Sequence, residues 1–355
     1  MRGYIRFVRI FIVVGLLSLY AASVHAQLIL EQQPYQQPML LNASLVGSGN
    51  TMRVGMGYKN QWMNLSSPYN TFDLTYDMHF GLYQNHNIGV AISNDVQGPM
   101  VLQHIGLNVY YAYMLDVTYN FRLRMGVGAG GIMKVTDYNK LTYPDMLEEH
   151  HSSITYKNKA HFAPDVSLGI AGDINSWYFG IAINHLVEPS FDTREGKFLR
   201  YPRKYSLHLR KDFNVYQIYR FKPPLYLSPD IMLSYWDKSL ELNVGFTVEY
   251  RGIKANLRAR EGLLYSSHQF SVGVGWQGRI FGVMYSYGMG IMPEGFYGLS
   301  ASVHELSMNF NIPHKRFSHL GRSYGRRGRR KRYARYSRKR SGAARSKRYT
   351  KAKGW

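Results

Sequence analysis

The chain has 355 residues, enough for one large domain or two ordinary ones, and no cysteine, which excludes disulfides, thiolate nucleophiles, zinc–thiolate sites and iron–sulfur clusters. Its formal net charge is +22, but 18 of its 44 Lys and Arg residues lie from Lys315 to the C-terminus, where no Asp or Glu occurs. Residues 27–314 are close to neutral. The overall charge therefore does not indicate that the whole chain binds nucleic acid, because only the tail is basic.

The first 26 residues predict a cleaved signal peptide. An apolar stretch over residues 10–19 follows a positive n-region and precedes Val24-His25-Ala26, which resembles a cleavage site before Gln27. The n-region contains Arg2, Arg6 and Arg9. Because the stretch is shorter than the ~20 apolar residues that a membrane span needs, cleavage is preferred over an uncleaved anchor.

Residues 27–50 are predicted to be an N-terminal segment that lies in the periplasm or plugs the domain that follows. From residue 51 to residue 312 the hydrophobic period is two, which is typical of strands with one apolar and one polar face. In residues 240–251, Leu, Val, Phe and Tyr alternate with Glu, Asn, Gly, Thr and Arg. The pattern predicts an all-β fold, a transmembrane antiparallel β-barrel.

About fourteen segments of roughly ten residues carry this alternation, an even number, as single-chain bacterial barrels require. The predicted strands are 51–62, 69–80, 86–95, 102–115, 119–134, 161–173, 175–184, 201–212, 224–236, 238–251, 253–260, 268–277, 280–291 and 301–312. Connections alternate between tight turns and longer loops, of which 135–160 and 185–200 are the longest. Aromatic residues cluster at strand ends, as in membrane-interface belts. Together these features favour a membrane barrel over a soluble sandwich.

Two stretches resemble the PorP/SprF family. Residues 36–47, followed by Arg53-Val54-Gly55-Met56-Gly57-Tyr58-Lys59-Asn60-Gln61-Trp62, are similar to that family's N-terminal signature. Residues 303–310, which contain the His304-Glu305 pair, are similar to its closing strand. The resemblance covers residues 27–312. It implies an outer-membrane protein of the Bacteroidetes type IX secretion and gliding machinery, with other secretion components and a secreted adhesin-type cargo as partners.

The first and last strands pair when a barrel closes, so polar residues on their inward faces should be neighbours. We predict that Arg53 or Lys59 pairs with Glu305. The lumen or barrel-closure residues are predicted to be Arg53, Lys59, Gln61, Arg122, Arg124, Glu305 and Asn309. Arg210 is a further candidate. These residues either close and fill the lumen or contact a partner segment; buried charges need partners in both cases.

No enzyme motif, cofactor site or metal site is predicted. Glu148-Glu149-His150-His151 combines metal-ligating side chains, but adjacent positions on a loop rarely form an organised site. The His304-Glu305 pair lacks the second histidine of a helical zinc motif, and its two side chains point to opposite faces of a strand. The glycine pairs lie in strands, whereas a phosphate cradle needs a following helix.

The tail, residues 313–355, is predicted to be disordered when free because it contains too little apolar surface to form a core. After an even number of strands it would lie in the periplasm, where an anionic partner such as peptidoglycan or an acidic protein, and not nucleic acid, is expected. Its partner-binding residues are predicted to be Arg326, Arg327, Arg329, Arg330, Lys331, Arg332, Arg338, Lys339 and Arg340. The barrel itself contacts outer-membrane lipid. The alternative function is a porin-like or ligand-transporting barrel without a secretion role.

Overall fold

The computed structural model describes residues 32–49, 51–63, 68–80, 85–97, 102–137, 159–192, 198–215, 225–263, 268–291 and 301–312. All of them belong to the first of the two units into which the chain divides, Met1–Ile312. The predicted signal peptide, the Glu148–His151 run and the basic tail lie outside the described residues.

The described chain consists almost entirely of strands. They are β1 (Met52–Gln61), β2 (Tyr69–Phe80), β3 (His86–Gln97), β4 (Leu102–Asp116), β5 (Phe121–Thr136), β6 (Lys159–Ile174), β7 (Trp177–Asn184), β8 (Ser190–Asp192), β9 (Phe198–Arg200), β10 (Lys204–Lys211), β11 (Phe213–Asn214), β12 (Leu225–Trp236), β13 (Ser239–Tyr250), β14 (Ile253–Gly262), β15 (His268–Gln277), β16 (Phe281–Ile291) and β17 (Ala301–Ile312). Two short helical turns precede β1, Pro38–Leu41 and Ala43–Leu45. Within the described ranges, no helix is long and apolar enough to cross a membrane.

The strands form a closed antiparallel barrel of 14 strands, in which the two-residue β11 extends β10. The ring closes where β1 pairs with β17, from Met52 opposite Ile312 to Gln61 opposite Val303. Closure leaves no open edge in the ring, so each of its 14 strands has two neighbours for its backbone hydrogen bonds. The small hairpin of β8 and β9 lies outside this ring of pairings.

Alternation along each strand separates an apolar outer face from a polar inner face. On β15, Val274 is 60% exposed, whereas Ser271 is 6% exposed. Most of the large exposed side chains of the strands are aliphatic or aromatic, and most of the buried ones are polar or charged. A water-soluble protein would bury the first set, so this inverted pattern fits a surface that contacts lipid.

The two ends of the barrel differ in their connections. The turn end carries tight connections such as 175–176 and 251–252, and the loop end carries the excursion 185–203. Asn175, Ser176 and Arg251 all have positive φ, as two-residue hairpins of the primed type require. The remaining tight hairpin, Asp237-Lys238, lies at the loop end and also has positive φ.

The predicted barrel fold is confirmed, and the predicted strand boundaries agree with the observed ones to within about three residues. The prediction did not include the β8–β9 hairpin inside the long loop 185–200. That hairpin is only three residues on each side, too short for a period of two to be visible.

Candidate functional site

The segment before β1 lies inside the ring of strands. It contacts lumen-facing residues of β16 and β17 on one side and of β5 and β6 on the other, which are opposite walls of the barrel. A segment that touches both walls must occupy the lumen between them. We call Gln32–Gln37 the arm, Pro38–Gly47 the anchor, and the two together the plug.

The arm is held mainly by polar contacts. The backbone N–H groups of Gln32 and Gln33 donate to the two carboxylate oxygens of Glu305, at 2.7 and 3.2 Å. The Ser286 hydroxyl donates to the Gln32 amide oxygen at 3.0 Å. The Asn309 amide donates to the Gln36 amide oxygen, also at 3.0 Å. Glu305 therefore binds the arm through its backbone, a contact that does not depend on the arm's side chains.

The anchor is fixed by one asparagine. The Asn42 side-chain oxygen accepts hydrogen bonds from the Ser44 N–H at 2.9 Å and the Ser44 hydroxyl at 2.7 Å, which caps the helical turn Ala43–Leu45. Its amide nitrogen donates to the carbonyl oxygens of Ile170 and Ile181, at 3.3 and 3.2 Å. Asn42 thereby connects the plug to β6 and β7.

The anchor also packs dry against the barrel wall. Met39, Ala43 and Val46 form a buried apolar cluster with three lumen-facing residues, Ala91, Tyr110 and Ala112 of β3 and β4. On the adjoining wall, a Cβ added to Gly126 would lie 2.5 Å from the Ala43 backbone. This wall therefore needs small residues, because the plug backbone touches it directly.

A buried ion pair secures the end of the anchor. Asp77 of β2 accepts from the Gly47 N–H at 2.7 Å, and the Arg53 guanidinium lies 2.9 Å from the same carboxylate. Of the two cations predicted as alternatives for pairing with Glu305, Arg53 instead pairs with Asp77, and Lys59 is the one that lies opposite Glu305. Arg53 is near the turn end of β1, opposite Asn311 and Asp77, whereas Glu305 is opposite Lys59 farther along the strand.

The other predicted lumen residues divide between the two ends of the barrel. Lys59 is buried directly across from Glu305, so that its ammonium attracts the carboxylate that holds the arm. At the turn end, Arg122 and Arg124 both pair with Asp173, at 2.9 and 3.2 Å. Gln61 ends β1 on the same face as Lys59, opposite Val303. Asn309 contacts the arm, as described above.

Tyr35 of the arm lies between cationic side chains. The Arg210 guanidinium is 5.2 Å from its ring centroid and the Arg258 guanidinium is 6.0 Å away. Burial, reinforced by nearby Asp230, raises the pKa of Tyr35 well above its usual range. The phenol therefore stays neutral at physiological pH and keeps its hydroxyl as both a donor and an acceptor.

A polar cavity of about 170 Å³ remains between the arm and the wall formed by β12–β17. Its lining includes Gln33, Tyr35 and Gln36 from the arm, and Asn256 and Arg258 from β14. The lining residues that lie nearest to strand ends, such as Lys254, Gln277 and Asn311, are all at the turn end. The plug therefore packs directly against the wall formed by β3–β6 and leaves a polar cavity next to the wall formed by β12–β17.

The loop end is covered separately. Phe191 of β8 is 1% exposed and packs with Ile132, Ala163 and Tyr201, the first two of which face the lumen near the loop end of their strands. Tyr201 in turn stacks edge-on against His104 of β4 at 5.6 Å. The connection 185–200 was predicted as an external loop; at Phe191 it instead packs into the barrel mouth.

Sequence reasoning missed Asp77, Asp173 and Asn42, which complete the lumen contacts. The alternation predicts which strand face each aspartate lies on, but it does not predict which cationic side chain each aspartate pairs with. The run Gln32, Gln33, Gln36, Gln37, rich in uncharged amides, is the one signal that could have indicated a hydrogen-bonded segment inside a polar lumen. Among the described residues, no group of His, Asp and Glu side chains could hold a metal ion.

The fold and its inverted faces define the class: a transmembrane β-barrel with an internal plug. A family profile described as "Type IX secretion system membrane protein PorP/SprF" matches residues 23–310. The chain belongs to the PorP/SprF family. It is thus an outer-membrane β-barrel protein of a type IX secretion-system family. No curated protein matches it in sequence.

The chain is similar to solved structures of outer-membrane transport proteins. The monoaromatic hydrocarbon channel CymD is 13% identical with a TM-score of 0.52, and the match covers 82% of this chain and 95% of CymD. The toluene transporter TbuX of Ralstonia pickettii is 11% identical with a TM-score of 0.47, covering 77% and 93% of the two chains. The similarity to CymD shows a shared barrel architecture.

Proposed function

We propose that this barrel assists the export or surface anchoring of specific adhesin-type proteins by the type IX machinery, and that it acts as a docking element and not as an open pore. Membership of the PorP/SprF family supports the secretion role. The single observation that favours docking is the plug, which crosses the lumen from the Glu305 wall to the Gly126 wall. Among the described residues, the plug lies across the route that a cargo chain would take through the lumen.

In this proposal the turn end faces the periplasm, because short periplasmic turns and long external loops are the outer-membrane pattern. The basic tail, which follows β17 at that end, would then bind an anionic periplasmic partner, peptidoglycan or an acidic protein. The loop end, with Phe191 and its neighbours, would face the cell surface and the cargo.

Gene deletion tests the secretion role. We expect one or a few surface adhesins to be lost from the cell surface while other type IX cargo and the uptake of small solutes stay normal. Complementation with the full chain should restore them. Intact secretion combined with a defect in solute permeability would overturn the proposal and favour the porin-like alternative.

A pull-down tests the tail separately. Full-length protein and a variant that lacks residues 315–355 are compared for retention on purified peptidoglycan and on periplasmic extract, across a range of salt concentrations. Retention should require the tail and should fall as salt rises, because it depends on screened charges. Retention that ignores both truncation and salt would contradict this part of the proposal.

A further inference from the structure

The cavity between the arm and the β12–β17 wall has a chemistry of its own. Its charged lining residues are already paired within the barrel. The pairs are Arg53 with Asp77 at 2.9 Å, Arg210 with Asp212 at 2.9 Å, Arg258 with Asp230 at 3.0 Å, and Lys254 with Glu249 at 3.5 Å. These four cations and four anions cancel. A charged ligand would have to break a pair or enter without a counter-charge, so the cavity favours a neutral one.

Several buried polar atoms of the lining have no hydrogen-bond partner among the described residues. They are both ends of the Gln33 amide, the Tyr35 hydroxyl, the Asn256 and Asn309 side-chain oxygens, and the Arg258 Nε–H group. Gln33 is 3% exposed, and Asn256, Arg258 and Asn309 are each 6% exposed. Leaving such groups without a partner is costly, because each has given up its hydrogen bonds to water. A space lined by them must hold water or a ligand that replaces water.

The unpaired set contains donors and acceptors in similar number. The amide nitrogen of Gln33 and Nε of Arg258 donate, the amide oxygens of Gln33, Asn256 and Asn309 accept, and the Tyr35 hydroxyl does both. A hydroxyl group on a ligand also donates and accepts, so a molecule with several hydroxyls matches this mixed lining better than one with only donors or only acceptors. The volume, about 170 Å³, has room for about ten waters, or for one small sugar ring in their place.

We infer that this cavity is a binding site for a neutral, hydroxyl-rich ligand of the size of one sugar unit, either a free sugar or the end unit of a glycan chain. The ligand enters from the turn end, between Lys254 and Asn311, and reaches the arm at Gln33 and Tyr35. This inference rests on the cavity alone and does not depend on the secretion role.

Binding to the purified full-length barrel tests the inference. Saturation-transfer NMR and titration calorimetry are run in an amine-oxide detergent, since maltoside and glucoside detergents carry sugar headgroups. The probes are glucose and N-acetylglucosamine as neutral sugars, glucosamine and glucuronic acid as charged analogues, and a neutral tetrasaccharide. We expect saturable binding of a neutral sugar and at least tenfold weaker binding of both charged analogues. A tetrasaccharide that binds as well as the single sugar identifies a glycan end as ligand; its exclusion identifies a free sugar.

Two variants locate the site. Gln33→Leu removes an unpaired amide but keeps the backbone N–H that binds Glu305, and it should weaken sugar binding about tenfold. Tyr35→Phe removes only the hydroxyl and should weaken it about fivefold. The matched control is Tyr235→Phe, which changes an exposed tyrosine on the outer face of β12 and should have no effect. An unchanged heat-dependent gel shift shows that each variant is folded.

The inference is overturned if no neutral sugar binds saturably, if charged analogues bind equally well, or if both lumen variants, correctly folded, retain wild-type affinity. The first of these results would mean that the cavity holds ordered water only.

Discussion

The arm and the anchor are neighbouring parts of one plug, but they are held by different forces. The anchor has dry contacts: Met39 and Val46 pack against β3 and β4, and Asn42 bonds to two backbone carbonyls. The arm has polar contacts that border a hydrated cavity, since Glu305 binds its backbone there. The anchor therefore combines apolar packing with the Asp77 carboxylate at its end, whereas the backbone of the arm is held mainly by the Glu305 carboxylate. The arm should therefore be the part that moves.

Removal of the charge at Asp77 should have the largest effect, because this buried carboxylate serves both Gly47 and Arg53. Asp77→Asn would leave the Arg53 guanidinium without a counter-charge, at a cost of about 3–5 kcal/mol in the free energy of unfolding. Urea titration of the barrel, followed by its gel shift, measures the loss. Asp237→Asn, at an exposed turn, is the control. Equal stability of the two variants would show that the ion pair does not hold the anchor.

Truncation in the anchor should cost more than truncation in the arm. Met39→Ala removes a fully buried side chain and should lower the free energy of unfolding by about 2–4 kcal/mol. Gln36→Ala in the arm removes the side-chain hydrogen bonds to Asn309 and Met284 beside a wet cavity and should cost about 1 kcal/mol. The same urea titration compares them. The distinction between arm and anchor fails if the two losses are equal.

Neutralising Glu305 should release the arm alone. Because the chain has no cysteine, a single Gln33→Cys or Ala43→Cys variant reports on one place in the plug. With Glu305→Gln added, the rate of maleimide labelling at position 33 should rise about tenfold, while position 43 stays protected. Labelling that rises at both positions would mean that the plug moves as one body.

The smallest effect is expected from substitution of His304, the residue next to Glu305. His304 lies on the outer face, where its ring nitrogen is 2.8 Å from the Tyr285 hydroxyl. His304→Phe keeps an aromatic ring at that surface and should change the stability by less than about 1 kcal/mol. Labelling of the cysteine at position 33 should not change. Faster labelling in this variant would contradict the claim that the outer face of β17 does not affect the arm inside the lumen.

The sequence predicted the fold well because a period of two over some 260 residues leaves few other arrangements, and the pairing of β1 with β17 follows from closure. It also placed Lys59 and Glu305 on the inner faces of adjacent strands. It did not predict that Arg53 would pair with Asp77. The alternation shows which face of a strand a side chain lies on, but it does not show which residue of the neighbouring strand that side chain contacts. The position of Gln32–Gly47 inside the lumen could not be predicted either, because a segment of amide side chains and short helical turns has no hydrophobic periodicity.

Single-channel recording of the purified full-length barrel in a planar lipid bilayer tests the central claim most directly. With the plug seated between Glu305 and the Gly126 wall and Phe191 packed in the mouth, the account predicts no steady ionic current. A stable open-channel current from the unmodified protein would show that the lumen is a free passage, and would contradict the plugged barrel.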